Sequence, residues 1–171
     1  LTDKQLKFMD RQSSRADFSK WNFDVEYHYS SFRGDIDGML RNGYDIFLSY
    51  SNYGHREVRM RLPNGLPFPK SVWSKYIGGE ALKWTAEKNG KAGILSVDPY
   101  LEEANDSVWE FDDYLDAITQ LRDLLIGGDL RALYVLWLCG TIPSNEYNDE
   151  LKEPPVPHGL GTFPRKATEL L

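Results

Sequence analysis

The chain is poor in the residues that build redox and metal chemistry. It has one cysteine and three histidines among 171 residues. A single thiol excludes an intrachain disulfide. Cys139 lies in the apolar run LYVLWLCG and is expected to be a buried, inert thiol. Zinc sites draw on clustered Cys and His, whereas His28, His55 and His158 are far apart. No metal and no cofactor is expected.

Long apolar runs are missing too. The longest, Ala132–Cys139, falls well short of the ~20 residues that cross a bilayer, so no membrane partner is expected. The opening LTDKQLKFMDRQ is charged throughout, unlike a secretory leader. Together with the lack of disulfides it suggests a cytoplasmic setting. The sequence has no G-x-S-x-G elbow, no phosphate-binding P-loop and no G-x-G-x-x-G turn. No catalytic residue is assigned.

Basic charge is scarce where acidic charge is dense. The net charge is −6, and residues 98–153 hold fourteen acidic side chains against Arg122, Arg131 and Lys152. Such a field argues against nucleic acid as a partner. Aromatic residues, by contrast, make up 13% of the chain, more than a minimal core requires. They are expected mostly in the core, with some available for contact surfaces.

Periodicity then gives the elements. Residues 2–12 suit a short helix capped by Thr2. NFDVEYHY alternates, with Phe23, Val25, Tyr27 and Tyr29 opposite Asp24, Glu26 and His28, as a half-buried strand does. RGDIDGMLRNG allows only a short helix, since Gly34 and Gly38 weaken it. YDIFLSYS and REVRMRL alternate on either side of NYGH, which predicts a β-hairpin. In that hairpin Val58, Met60 and Leu62 face the core, and Glu57, Arg59 and Arg61 an uncovered face. PNGLPFP is loop, and Ser71 is placed as the cap of a short helix. A second hairpin flanks Asn89-Gly90, the preferred pair of a type I′ turn. Phe111, Tyr114, Leu115, Ile118, Leu121 and Leu125 form one helical stripe. Gly127 and Gly128 end that helix, and Asp129 caps LRALYVLWLCG, apolar nearly all round and therefore central.

These elements predict an α+β domain over 1–142, with residues 1–20 as an N-terminal helix and loop. An antiparallel sheet of about five strands is packed on one face by the two longer C-terminal helices, with short helices between strands. An extended Pro-rich tail, 143–171, follows. The core is expected to bring Ile118, Leu121, Leu133 and Trp137 against Ile46, Leu48, Val58 and Met60.

GYDIFLSYSNYGHREVRMRLP, PKSVWSKYIG and GDLRALYVLWL resemble segments of a group of bacterial proteins of unknown function. Those share a Tyr-x-Asn-aromatic-Gly turn, an Arg-rich strand ending Leu-Pro, and a Gly-Asp-Leu-Arg-Ala-Leu-Tyr helix. The resemblance implies a bacterial, cytoplasmic protein and carries over no catalytic residue.

Three readings compete. The leading one is a non-catalytic interaction or accessory subunit of a larger assembly, with a protein partner or self-association. It rests on the missing motifs, the aromatic content and the Pro-rich tail. In the second, Asp24, Glu26 and Asp45 hold a metal for a hydrolase or nuclease, although Arg59 and Arg61 are expected to pair with those carboxylates across the sheet. In the third, a small anionic ligand binds at the hairpin turn, gripped by Tyr50, Asn52, His55 and Arg56, with Arg56 offering an open guanidinium.

Overall fold

A computed structural model describes residues 1–51, 56–78, 82–88, 90–98, 111–141 and 152–168. The chain clusters into two compact units, Leu1–Phe47 and Leu48–Leu171. The sequence reading draws its boundary elsewhere, with one domain over 1–142 and a tail beyond. Residues 152–168 make their hydrogen bonds with the helices and loops of the second unit.

The first unit begins with α1, Asp3–Asp10. Thr2 caps it as expected, in a full capping box: its side chain accepts from the Gln5 amide, and Gln5 reaches back to the Thr2 amide at 2.7 Å. Two two-residue strands follow, β1 (Asp17–Phe18) and β2 (Phe23–Asp24), paired antiparallel. Here the structure corrects the sequence reading, which ran one strand from Phe23 to Tyr29 and counted it in the main sheet. The alternation holds through His28 and fails at Tyr29, which was expected on the covered face and is fully exposed. Phe23, Val25 and Tyr27 are half-buried while Asp24, Glu26 and His28 are exposed. Alternation reports which side is covered, not whether a ladder exists. The inward aromatic residues pack as rings: Phe23 of β2 and Tyr27 beyond it have ring centroids 5.8 and 6.4 Å from that of Phe32. Helix α2, Ile36–Arg41, is short as expected and capped by the Asp35 carboxylate.

The main sheet has four strands rather than five, in the order β3-β4-β6-β5. These are β3 (Ile46–Tyr50), β4 (Arg56–Leu62), β5 (Leu82–Ala86) and β6 (Gly93–Val97). Both expected hairpins are there, joined where β4 pairs antiparallel with β6. Asn89 lies outside the described residues, so the type of its turn does too. Val58 stands opposite Val97 and Met60 opposite Leu95. On the same face Gly93 lies under Trp84: a Cβ there would meet the indole at 2.4 Å.

Helix α3 covers Lys70–Trp73 with Pro69 at its N-cap position, two residues before the Ser71 cap expected and without a side-chain cap hydrogen bond. Helix α4 runs Phe111–Ile126 and α5 Leu130–Thr141. Between them Gly128 adopts φ 82°, which suits glycine. The Asp129 amide bonds back to Leu124 O and the Gly128 amide to Leu125 O, both at 2.9 Å, a Schellman closure. Asp129 then caps α5, its carboxylate accepting from the Arg131 amide at 3.0 Å. Both helices pack on the sheet, α4 on β4 and α5 on β6 and β5. Ala117, Ile118, Leu121 and Leu125 are buried on α4, and α5 is buried from Ala132 to Trp137. Leu115, placed on the inward stripe, is 37% exposed. It sits a quarter turn off the line through Tyr114, Ile118, Leu121 and Leu125. Of the expected strand contributors, Val58 and Met60 are buried, while Ile46 and Leu48 are only half-buried. No helix among the described residues is long and apolar enough to cross a membrane.

Candidate functional site

The β3–β4 hairpin places chemistry at the end where β3 leads into β4. Tyr50 ends β3 and Arg56 begins β4. Burial along β4 alternates strictly, with Arg56, Val58, Met60 and Leu62 on the buried face. Arg56 is therefore in phase with the core, and only 5% of it is exposed. This corrects the expectation of an open guanidinium at the turn. Its Cζ lies 4.5 Å from the ring centroid of Tyr114 on α4 and 5.7 Å from that of Tyr50. Burying a cation is costly without compensation, and two aromatic faces supply part of it, roughly 0.5–2 kcal/mol for each such contact. All three residues make further contacts besides these. Ser51 Oγ, next along the chain, is buried and makes no hydrogen bond among the described residues. Asn52 and His55, the other two candidates, lie outside the described residues. Tyr114 was legible only as one member of the helix stripe. The signal that it faces a cation needed the hairpin and α4 in one frame.

The two other arginines of β4 behave differently. Arg59 pairs with Glu57 of its own strand, Nη2 to Oε1 at 2.5 Å. Arg61 Nε donates to Glu87 Oε1 at 2.9 Å. The expected counter-charges were Asp24, Glu26 and Asp45; these pairs are with Glu57 and Glu87, and Arg59 and Asp45 each make a further interaction. Glu57 is the nearest acidic neighbour along the strand and Glu87 belongs to the far hairpin, and neither was among the expected partners. Nor is this face bare. Ile94, directly opposite Arg61, is 1% exposed.

The carboxylate alternative does not assemble. Asp24, Glu26 and Asp45 are each exposed, and among the described residues no group of three or more His, Cys, Asp or Glu side chains is gathered to hold a metal. Glu26 lies instead 3.6 Å from His28, both exposed. Cys139 is buried as expected, and burial pushes its thiol up to about 12.

A second polar group was not foreseen. It lies where the C-terminal segment crosses α5. Asp129 and Arg131 pair at 2.7 Å, and the Arg131 hydrogen bonds hold the Asp129 carboxyl below its ordinary range. Arg131 also donates to Gly159 O at 2.9 Å and to Thr162 Oγ1 at 3.2 Å, with its Cζ 5.3 Å from the Phe163 ring. Tyr134 Oη donates to Glu153 Oε1 at 2.5 Å, and this bond is the main cause that pushes the phenol up to about 12. Tyr76 Oη donates to Pro155 O at 2.6 Å.

No protein family and no solved structure matches the chain. Among curated proteins it is 24% identical, over 139 residues, to the guanylate kinase of Buchnera aphidicola subsp. Schizaphis graminum (strain Sg). The aligned stretch covers 76% of this chain and 64% of that relative, so the chain spans less than two thirds of the relative's length. Identity this low does not place the chain in a family. It does overturn the leading expectation from sequence, a non-catalytic interaction or accessory subunit, because the relative bears the name of an enzyme.

Proposed function

We propose that this chain handles a nucleotide, and that the end of the β3–β4 hairpin where Tyr50 and Arg56 lie recognises it. The observation that carries the reading is Arg56 held against the rings of Tyr50 and Tyr114. Guanidinium groups match phosphate oxygens in a planar, two-bond geometry. Tyrosine rings offer faces on which a base stacks. The similarity to a guanylate kinase makes guanylate the first ligand to test. Asn52 and His55 complete the proposed set from the sequence. At 5% exposure, Arg56 meets a phosphate only when whatever covers it moves aside. The 171 residues contain no Gly-x-x-x-x-Gly-Lys-Ser/Thr run, the loop that cradles phosphates in P-loop enzymes. The proposal therefore covers recognition and assigns no residue to phosphoryl transfer. A bacterial, cytoplasmic setting is part of the same proposal, supported by the resemblance of the hairpin and α5 segments.

Calorimetric titration tests it. Guanylate should give a saturable isotherm that inorganic phosphate alone does not reproduce. Arg56→Lys keeps the charge and loses the fork, so affinity should fall about tenfold, worth ~1.4 kcal/mol. Absence of a guanylate isotherm at millimolar ligand, in a protein that melts cooperatively, would sink the reading.

A further inference from the structure

The stretch Glu153-Pro154-Pro155-Val156-Pro157 has no regular secondary structure, and Glu153, Pro155 and Val156 are exposed, yet two hydrogen bonds hold it. Pro154 is buried. Tyr76 donates to the carbonyl of Pro155, and Tyr134 to the Glu153 carboxylate. The Tyr134 ring stacks on Trp137, centroids 6.0 Å apart. Tyr76, Tyr134 and Trp137 are 3%, 6% and 8% exposed.

The chemistry on the two sides is complementary. A proline offers a carbonyl acceptor and no amide donor. Phenolic hydroxyls directed at such a segment answer it with donors. Aromatic surfaces lined with such donors are a recurring way of binding polyproline-type segments, which enter already extended and lose little entropy. The chain downstream is pinned separately. Arg131 clasps Gly159, Thr162 and Phe163, Lys166 pairs with Asp116 at 2.6 Å, and Ala167 is fully buried. Residues 153–157 are therefore a contact distinct from the anchor that follows them.

We infer that Tyr76, Tyr134 and Trp137 form a recognition surface for a proline-rich peptide bearing an acidic residue just before its prolines, and that residues 153–157 occupy it in cis. The occupant seen on the surface defines the ligand class: a carboxylate for Tyr134, a prolyl carbonyl for Tyr76. This inference stands apart from the nucleotide reading and involves none of its residues. An intramolecular occupant competes at an effective concentration on the order of millimolar. A peptide in trans therefore binds the intact chain weakly and a chain with a loosened strap well.

The test uses the full chain carrying Pro154→Gly and Pro155→Gly, with a fluorescent peptide Lys-Glu-Pro-Pro-Val-Pro-His as probe. Anisotropy should show saturable binding to this variant at least tenfold tighter than to wild type. Replacing the peptide's prolines by glycine should abolish it, and replacing its Glu by Gln should weaken it severalfold. A variant that melts like wild type but binds no peptide overturns the inference, as does equal binding of the glycine peptide. A dimer seen by light scattering would assign the surface to the strap of a second copy and overturn the peptide partner. Should the glycine variant not fold, Tyr76→Phe with Tyr134→Phe gives an independent reading. Limited proteolysis should then cut within 152–158 several times faster than in wild type, with the rest of the chain intact. Unchanged cleavage there would overturn the cis contact on which the inference is built.

Discussion

The two faces of β4 carry the same residue type to different ends. On the inner face Arg56 is buried in phase with Val58, Met60 and Leu62. On the outer face Arg59 and Arg61 are half-buried and paired with Glu57 and Glu87. A side chain's identity does not decide its role; its parity in the strand does. An arginine on the inner face answers to packing and to the rings around it. One on the outer face answers to screened charge.

The largest effect should come from the inner face. Met60 is fully buried, opposite Leu95 in the β4–β6 ladder. Met60→Ala leaves a cavity and should cost about 2–5 kcal/mol, read by chemical denaturation. A loss below about 1 kcal/mol would mean that the helices do not close over this face as described.

Arg56 should fall between the faces. Arg56→Ala removes a charge that the fold already compensates with two rings, together with a buried stem. The expected loss is about 1–3 kcal/mol, from the cation–π contacts and the lost packing. Tyr114→Leu keeps apolar volume at the closer ring and should reproduce part of that loss. An Arg56→Ala chain that melts with wild type would return this residue to the open, purely recognising role that its place beside a turn first suggested.

Why one arginine of three was misread is instructive. Parity was legible: Arg56 differs in phase from Arg59 and Arg61, and its assignment to the core phase was there to be made. Its position next to NYGH, a turn by its sequence, outweighed that phase, since turn residues are normally wet. The elements themselves were read well where local chemistry acts alone. Thr2 with Gln5, Gly128 with Asp129, and the alternation of β4 each act within a few residues. What failed depended on distant parts of the chain. The strand at 23–29 alternated only as far as His28, with Tyr29 fully exposed, and its pairing ends at Asp24. The Tyr76–Pro155 bond joins residues 79 positions apart, and no periodicity announces it. The ring of Tyr114 met Arg56 only once α4 was laid on the sheet.

The smallest effect should come from the outer face, and its asymmetry is the sharper test. Arg61 and Glu87 are 2.9 Å apart, with side chains 25% and 22% exposed. Pairs of this kind couple by about 0.2–1 kcal/mol and weaken as salt rises. A double-mutant cycle of Arg61→Ala and Glu87→Ala should give a coupling in that range, smaller at high salt. The two single variants should nevertheless differ. Arg61 stands opposite Ile94, which is 1% exposed although it lies on the outer face. Directly opposed side chains sit about 5 Å apart at Cβ, and a long cationic side chain covers apolar surface with its stem while its head stays wet. Arg61→Ala should therefore cost more than Glu87→Ala, and Arg61→Met should recover most of the excess without restoring the ion pair. Equal losses for the two alanine variants would show that the outer face is held by charge alone, and that Ile94 owes its burial to some other neighbour.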